Sequence, residues 1–157
     1  MVISVRSWVF RRLCSLMSWP NLHWVTSMVA IGGYNPPAVL RRAGVQASLD
    51  MRAEYSAGRE MRRAGIAYKR IPVLDNHAPT RMQLVNAVNW LDAQVRAGKK
   101  VEVNCRAGRS RSALVAAAWL VKHKDISPKK ALRIVARARP CVCINAPQLK
   151  ALQEFCR

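Results

Sequence analysis

The stretch Lys100-Val101-Glu102-Val103-Asn104-Cys105-Arg106-Ala107-Gly108-Arg109-Ser110-Arg111-Ser112 decides the fold of this chain. Residues 100–104 alternate and include β-branched side chains, which predicts a short strand that ends at the cysteine. Residues 112–124 are apolar on nearly every face, which predicts a buried helix. A tight loop therefore links the strand to the helix, and five residues of it separate Cys105 from Arg111.

This loop has the composition of an anion-binding site. Its backbone N–H groups and the positive end of the helix dipole converge on one small volume, which favours a phosphate. Gly108 allows backbone angles closed to other residues, and Arg111 offers a planar fork of donors for two phosphate oxygens. Arg106 and Arg109 are expected to widen the positive field at the rim, although Arg106 has a solvated surface position as its alternative. The predicted phosphate-binding residues are Arg106, Ala107, Gly108, Arg109, Ser110 and Arg111.

Cys105 lies where the same field acts on its thiol. A cysteine pKa near ~8.5 falls to roughly 3.5–7.5 at a helix N-terminus beside cations, so a thiolate is predicted at neutral pH. Beneath a phosphate monoester, that thiolate is predicted to attack phosphorus and form a phosphocysteine.

Two further side chains complete the predicted site. Asp75 lies thirty positions before Cys105, after a predicted strand and before a helix that starts at Thr80. Its loop is expected to hang over the phosphate, so that the carboxyl can protonate the leaving oxygen. Ser112 is predicted to donate a hydrogen bond to the departing sulfur, with a helix N-cap role as the equal alternative.

These residues resemble a known family. Cys105 to Ser112 matches the Cys-x-x-Gly-x-x-Arg-Ser signature of the protein tyrosine phosphatase superfamily, in its small dual-specificity branch. The loop, Arg52-Ala53-Glu54-Tyr55 and the segment 127–132 further resemble the mitochondrial PTPMT1-type phosphatases, which remove the phosphate from phosphatidylglycerophosphate in cardiolipin synthesis. The resemblance spans residues 24–157 and implies Cys105 as nucleophile, Asp75 as acid and Arg111 as phosphate clamp, without metal or other cofactor.

The resemblance bears on two further positions, Asn104 and Tyr55. The family usually has histidine before the nucleophile, where this chain has Asn104. Asparagine can brace a loop but cannot carry charge, so weaker thiolate stabilisation and a shifted pH optimum are predicted. Tyr55 with Glu54 is expected to shape the substrate pocket on the strength of the resemblance, whereas the residues alone favour a packing role for Tyr55.

The rest of the chain predicts a single α/β domain, a parallel-rich central sheet flanked by helices, with the loop beyond the carboxyl end of a central strand. Predicted strands are 24–31, 45–50, 69–74 and 100–104. Predicted helices are 36–43, 60–64, 80–97, 112–124, 128–138 capped by Ser127, and 147–155.

Charge is the most unusual property of the composition. The formal net charge is +19, from 27 Lys and Arg against eight Asp and Glu. Only five of the basic residues precede position 50, so the predicted domain is itself strongly basic. An anionic partner is expected: an anionic membrane surface or a phosphorylated substrate, with nucleic acid unlikely because no binding module is recognisable.

Residues 1–23 form a separate segment in this interpretation, ahead of a catalytic domain at 24–157. Val2, Val5, Val9, Leu13 and Leu16 fall at helical spacing among arginines and serines, and no acid precedes Asp50. That composition favours a mitochondrial transit or membrane-surface segment, with an ordinary first helix as the alternative. The expected location is the mitochondrial inner membrane.

Three functions remain in competition. The leading one is a phosphatase for phosphatidylglycerophosphate or a related anionic phospholipid. The second is a dual-specificity protein phosphatase acting on tyrosine, serine or threonine phosphates. The third, motivated by Asn104, is a catalytically weak phosphate-binding pseudophosphatase. Cys141-Val142-Cys143 is at best half of a metal motif, and its cysteines are expected to be structural.

Overall fold

Alternating strands and helices build the domain around one mixed sheet. The computed structural model describes residues 21–156. In chain order, the elements in these residues are β1 (Leu22–Trp24), β2 (Val29–Gly32), α1 (Pro37–Arg42), β3 (Ala47–Arg52), α2 (Gly58–Arg63), β4 (Ala67–Val73), α3 (Arg81–Arg96), β5 (Val101–Asn104), α4 (Arg111–Lys124), α5 (Pro128–Ala138) and α6 (Ala146–Phe155). The α/β class predicted from the sequence is confirmed.

The sheet places the Cys105 segment at its centre. The strand order is β1-β2-β5-β3-β4, in which β2, β5, β3 and β4 run parallel and β1 pairs antiparallel with β2. β5 lies in the middle, flanked by β2 and β3, so the loop that follows it leaves the carboxyl edge of the sheet at its centre. This is the edge at which parallel sheets bind ligands.

The two faces of the sheet differ in character. The face that carries Val101 and Val103 of β5 packs into the main apolar core beneath α3, α4, α5 and α6. α4 is buried along most of its length, as its apolar sequence predicts. The other face carries Ser48, Asp50, Glu102 and Asn104, all of which are buried. A smaller apolar cluster around Leu40 and Met61 of α1 and α2 lies outside the main core.

The predicted strand 24–31 is wrong in one respect, because the chain turns within it. Thr26 Oγ1 accepts hydrogen bonds from the amides of Met28 (3.2 Å) and Val29 (3.0 Å). The amides of Val25 and Thr26 both donate to the Val29 carbonyl. A threonine that satisfies local backbone groups favours a turn over an extended strand, so 22–32 folds as the β1–β2 hairpin.

The last residues of the predicted N-terminal segment 1–23 lie within the described part of the chain. Leu22 and His23 pair with β2 and belong to the sheet, and residues 1–20 of the predicted amphipathic segment lie outside the described residues. In the part of the chain that the structure does describe, every helix is too short or too polar to cross a membrane.

Candidate active site

Cys105 sits at the carboxyl end of β5, at the base of the loop formed by residues 105–110, here called the Cys105 loop. Its side chain is buried, and its amide donates to the Gly32 carbonyl at 3.2 Å. The sulfur lies 3.4 Å from Ser112 Oγ. The strand therefore fixes the thiol at the sheet edge, facing the start of α4.

The carbonyl groups of the Cys105 loop are held from outside. Arg139 donates from Nη2 to the Ala107 carbonyl (3.0 Å) and from Nε to the Gly108 carbonyl (2.6 Å), and the Cys143 amide donates to the Arg109 carbonyl (2.8 Å). In a planar trans peptide, the C=O of one residue and the N–H of the next point in opposite directions. The amides of residues 108 and 109 therefore point away from Arg139, and the amide of residue 110 points away from the Cys143 amide.

The helix start adds further donors to the same end of the loop. α4 begins at Arg111, and the side chain of its N-cap residue Ser110 caps no backbone amide. The first amides of a helix have no partner within the helix and carry the positive end of its dipole. The amides of the Cys105 loop and of the helix start therefore lie at the same end of the loop, an arrangement suited to binding an anion.

Gly108 is required by both backbone angle and space. Its φ is +65°, in the left-handed region. A Cβ at this position would lie 2.3 Å from the Gly32 carbonyl carbon and 2.5 Å from the Gly33 nitrogen, closer than atoms can approach. The loop can thus pack against the end of β2 only with glycine at position 108.

Arg111 is buried and held by two carboxylates and one carbonyl. Its Nη1 and Nη2 donate to the two oxygens of Glu54 at 3.0 and 3.1 Å, a bidentate pair. Nη1 also donates to the Val73 carbonyl (2.7 Å), and Nη2 to Asp75 Oδ1 (3.0 Å). Nε is buried without an acceptor among the described residues. The guanidinium is therefore fixed in place with one donor to spare.

Glu54 is ionised because of this pair. The hydrogen bond from Arg111 lowers the pKa of the Glu54 carboxyl to about 2, against a smaller opposing effect of burial. The segment that carries Glu54 is itself braced, since Arg70 donates to the carbonyls of Arg52 (3.0 Å) and Ala53 (2.7 Å). Glu54 thus supplies a permanent countercharge that orients Arg111.

Asp75 lies beside Arg111, in a loop that the start of α6 anchors. Its side chain is 43% exposed and ion-paired with Arg111. Asn76 follows with a φ of +59°, which turns the chain sharply. Two side chains of the α6 start hold this turn: Asn145 donates to the Asn76 carbonyl (2.7 Å) and Gln148 to the His77 carbonyl (3.1 Å).

Ser112 lies beside the sulfur rather than at a helix cap. The N-cap residue is Ser110, so the alternative N-cap role for Ser112 is wrong. Its Oγ lies between the Cys105 sulfur and the Gly32 carbonyl, 3.5 Å from that oxygen. α4 starts one residue earlier than predicted, which puts Ser112 in the first turn with its hydroxyl directed at the thiol.

Asn104 points away from the thiol, into the polar face of the sheet. Its Nδ2 donates to Ser48 Oγ (3.0 Å) and to Glu102 Oε2 (3.2 Å). Neither this polar face nor Arg139 was predicted from the sequence. The burial of Glu102 could have been predicted, because a charged residue in a central strand covered on both faces has to be buried. The role of Arg139 could not, because only the fold brings it to residue 108.

The surroundings of Arg111 expose apolar side chains. Tyr55 (69% exposed) is next to Glu54, and Leu74 (60%) lies between Val73 and Asp75. Met82 (67%) lies in the first turn of α3, where the next residue donates to the carbonyl of Pro72. We call Tyr55, Leu74 and Met82 the apolar rim. Exposed arginines lie close to it in sequence: Arg59, Arg62, Arg63 and Arg81.

No set of three or more His, Cys, Asp and Glu side chains in residues 21–156 is grouped to hold a metal ion.

Known proteins resemble this chain in sequence and in fold. The sequence model for "Dual specificity phosphatase, catalytic domain" matches residues 33–157. The mouse protein named phosphatidylglycerophosphatase and protein-tyrosine phosphatase 1 is 30% identical over 144 residues, which cover 85% of this chain and 75% of that protein. Human dual specificity phosphatase 28 is 35% identical over 117 residues, 74% of this chain and 65% of its own length.

Solved structures agree. The crystal structure of PTPMT1 in complex with PI(5)P superposes with a TM-score of 0.80 at 29% identity, covering 86% of this chain and 94% of that one. Tk-PTP in its active form gives 0.81 at 28% identity, covering 88% and 98%.

Proposed function

Because the chain belongs to the dual specificity phosphatase family and is therefore a phosphoric monoester hydrolase, we propose that Cys105 is its nucleophile and that the reaction passes through a phosphocysteine. The position of the thiol supports this: it is fixed at the base of a cradle of amides, beside a buried arginine. Such a cradle holds the phosphate and stabilises the charge on its equatorial oxygens during transfer.

The first step uses Cys105 and Asp75. The sulfur forms a bond to phosphorus as the bond from phosphorus to the ester oxygen breaks, and Asp75 in its protonated form gives its proton to that oxygen. In the second step Asp75, now a carboxylate, takes a proton from water as the water attacks phosphorus. The S–P bond breaks, inorganic phosphate leaves, and Ser112 donates to the sulfur as it regains its charge.

Arg111 couples substrate binding to this use of Asp75. In the structure Arg111 Nη2 donates to Asp75, while Nε has no acceptor within residues 21–156. A phosphate that accepts from Nε and Nη2 would displace the Asp75 carboxylate, because a dianion competes for the same donor. Asp75 then leaves the ion pair and can carry the proton that the leaving oxygen needs, whereas Glu54 keeps the guanidinium in place.

We propose phosphatidylglycerophosphate or a related anionic phospholipid as the substrate. The observation that carries this proposal is the apolar rim: three of the four large apolar side chains exposed in the described residues lie in segments that contact Arg111 or the end of β4. The fourth, Trp24, lies toward the other end of the sheet, under Lys100. An exposed apolar patch with basic neighbours fits the surface of an anionic bilayer. The names of the mouse relative and of the PTPMT1 complex point the same way.

Protein phosphatase activity is the second candidate. Human dual specificity phosphatase 28 is as similar to this chain as the lipid-named relatives, and the mouse relative's own name contains both activities. A phosphotyrosine or phosphothreonine side chain would use the same loop, Cys105 and Asp75. The third candidate, a pseudophosphatase, rests on Asn104, whose amide serves the sheet rather than the thiol.

The proposed location follows from the substrate. The excess of basic residues within the domain would hold it at an anionic leaflet, with about 1 kcal/mol from each residue near the surface. We keep the mitochondrial inner membrane as the proposed site, which fractionation of cells that express the full chain would test.

The deciding experiment compares phosphate release from phosphatidylglycerophosphate vesicles and from a phosphotyrosine peptide, with Cys105→Ser as the blank. We expect a large preference for the vesicles. Met82→Ser should lower the rate on vesicles but not on a soluble aryl phosphate, and Trp24→Thr, toward the other end of the sheet, should change neither. A preference for the peptide would favour the protein phosphatase, and the absence of release from either substrate would favour the catalytically weak, phosphate-binding alternative.

A further inference from the structure

Glu102 is a fully buried carboxylate directly beneath the Cys105 loop, on the polar face of β5. Its hydrogen-bond partners are neutral: Asn35 Nδ2 donates to Oε1 at 2.8 Å, and Ser48 Oγ and Asn104 Nδ2 donate to Oε2 at 3.0 and 3.2 Å. Removing a carboxylate from water is costly unless a cation or several donors compensate it. This group therefore has a structural or functional task that the proposed reaction does not use.

Glu102, Asn35, Ser48 and Asn104 form a hydrogen-bonded cluster, here called the Glu102 cluster. One side of it reaches the start of the Cys105 loop. Asn104 is held by Glu102 and by Ser48, and its main chain leads directly into Cys105. Its own side-chain oxygen is buried without a donor in the described residues. Within the described residues, the side chain of Asn104 is thus held through its amide nitrogen only, while its main chain pairs with β2 and β3, and the charge of Glu102 strengthens the side-chain bond.

The other side reaches the middle of the loop through a continuous chain of hydrogen bonds. The Asn35 side chain donates to the carbonyls of Asn21 (3.1 Å) and Gly33 (3.2 Å), and its oxygen accepts from the Asn21 amide (3.1 Å). Asn21 Oδ1 accepts from Arg139 Nη2 at 2.6 Å. Arg139 is the residue that holds the carbonyls of Ala107 and Gly108.

Within the described residues, no cation pairs with Glu102, because the nearby Arg52 pairs with Asp50. On β3, Arg52 is engaged by Asp50 through two hydrogen bonds of 2.9 and 2.7 Å, and it stacks on the Tyr34 ring. From β4, the Tyr68 hydroxyl donates to Asp50 at 2.9 Å. Burial raises the pKa of Glu102 to about 7, with a further increase from the charge of Asp50, although the three donors oppose it.

We propose that ionised Glu102 is a positioning residue for the Cys105 loop, which it reaches through Asn104 on one side and Asn35 on the other. When Glu102 is ionised, both oxygens accept and all three donors are fixed. When it is protonated, one oxygen becomes a donor. The amide nitrogens of Asn35 and Asn104 cannot accept from it, and the Ser48 hydroxyl accepts only by giving up its own bond to Glu102, so these contacts loosen. Glu102 would act in this way on the bound phosphate itself, whatever group the phosphate is attached to.

Tungstate binding at two pH values tests this. At micromolar concentration, where it stays monomeric, tungstate is a tetrahedral dianion that keeps its charge between about pH 6 and about pH 8, and its binding requires no turnover. Glu102→Gln has the same shape but places an NH₂ group against donors, so at about pH 8 it should bind tungstate roughly tenfold more weakly than the wild type, the size of one lost charge-assisted hydrogen bond. At about pH 6, where wild-type Glu102 is protonated, the two affinities should converge.

The controls separate positioning from folding. Glu154→Gln makes the same chemical change at an exposed site on α6 and should leave both affinities unchanged. If Glu102→Gln does not fold, Glu102→Leu replaces it. Leucine removes the acceptor of all three donors, so this variant should also bind tungstate more weakly than the wild type at about pH 8, with a smaller deficit at about pH 6. The proposal is overturned if the ratio of the wild-type affinity to that of Glu102→Gln is the same at both pH values, whether that ratio is about ten or about one. Failure of the wild type to turn over any phosphate ester would contradict the proposed function and leave this result intact.

Discussion

Arg139 and Gly108 are 31 residues apart in the chain, yet Arg139 Nε donates to the Gly108 carbonyl over 2.6 Å. Arg139 is only 3% exposed and also reaches Ala107, Asn21 and the His23 ring (2.8 Å). Burial and the charge of Arg139 lower the pKa of His23, so the imidazole is held neutral beside the guanidinium. One side chain therefore ties the loop around the nucleophile to the first strand of the sheet.

Replacing Arg139 by leucine should release the loop. Two backbone carbonyls would lose their donors, at a cost of about 1–3 kcal/mol for each buried group. We expect a drop in phosphate affinity and a stability loss of that order, measured by tungstate titration and urea unfolding. Arg137→Leu, two residues earlier on the exposed side of α5, is the matched control and should change neither. Equal behaviour of the two variants would contradict this role for Arg139.

Gly108→Ala should abolish the site rather than weaken it. The Cβ meets backbone atoms at 2.3 and 2.5 Å, so the loop must shift, in addition to the strain of a positive φ. Gly98 has a similar φ of +76° but nothing within 4 Å of its Cβ position. Gly98→Ala should thus cost only about 1 kcal/mol and keep full activity, while Gly108→Ala should lose tungstate binding altogether.

Asp75→Asn should separate binding from turnover. The asparagine can still lie beside Arg111 but cannot give a proton, so turnover of an alkyl phosphate should fall by ~10²–10⁴ while KM stays within a few fold. Asp125→Asn serves as the control, because Asp125 ends α4 in the left-handed conformation that asparagine accepts. Near-wild-type turnover in Asp75→Asn would remove it from the reaction.

Glu54→Gln should weaken phosphate binding at every working pH. The wild-type carboxyl has a pKa of about 2, so it is ionised throughout the neutral range and the effect should not vary with pH there. Its lowered pKa adds stability above the ordinary value of 4.5, and this contribution is lost as the pH falls toward 2. Urea unfolding should therefore show the two proteins converging only in acid, whereas Glu60→Gln, a carboxylate that accepts from Tyr34, should leave phosphate affinity unchanged.

Glu102 should affect the pH dependence of stability in the opposite direction to Glu54, because its pKa is raised rather than lowered. The comparison is between the unfolding free energies of the wild type and Glu102→Gln. The folded state holds the Glu102 proton up to about pH 7, whereas the unfolded chain releases it near 4.5. The folded wild type therefore binds more protons between these values, and its stability should fall as pH rises through them, by a few kcal/mol at most. Unfolding curves at half-unit steps of pH would show the slope in the wild type and its absence in the variant.

The local sequence pattern was sufficient to predict most helices and strands and the loop that carries Cys105. Alternation around Val101 and Val103, the apolar run of α4 and the cap at Ser127 each act within a few residues, so the sequence predicts them directly. The loop from Cys105 to Arg111 is likewise a local unit, because strand, glycine and helix start follow one another without interruption. Asp75 could be named because its loop must end at the same edge of a parallel sheet.

By itself, the sequence determined an α/β domain, its cysteine loop and the side chains that meet there. The tertiary structure alone decided what holds that loop: Arg139 from α5's end, Glu54 beside Arg111, and the buried Glu102 beneath. Periodicity reports which face a residue takes, and it does not report which distant donor satisfies a given carbonyl. Those partners are fixed only when packing removes water, because each buried polar group must then find a hydrogen bond within the protein.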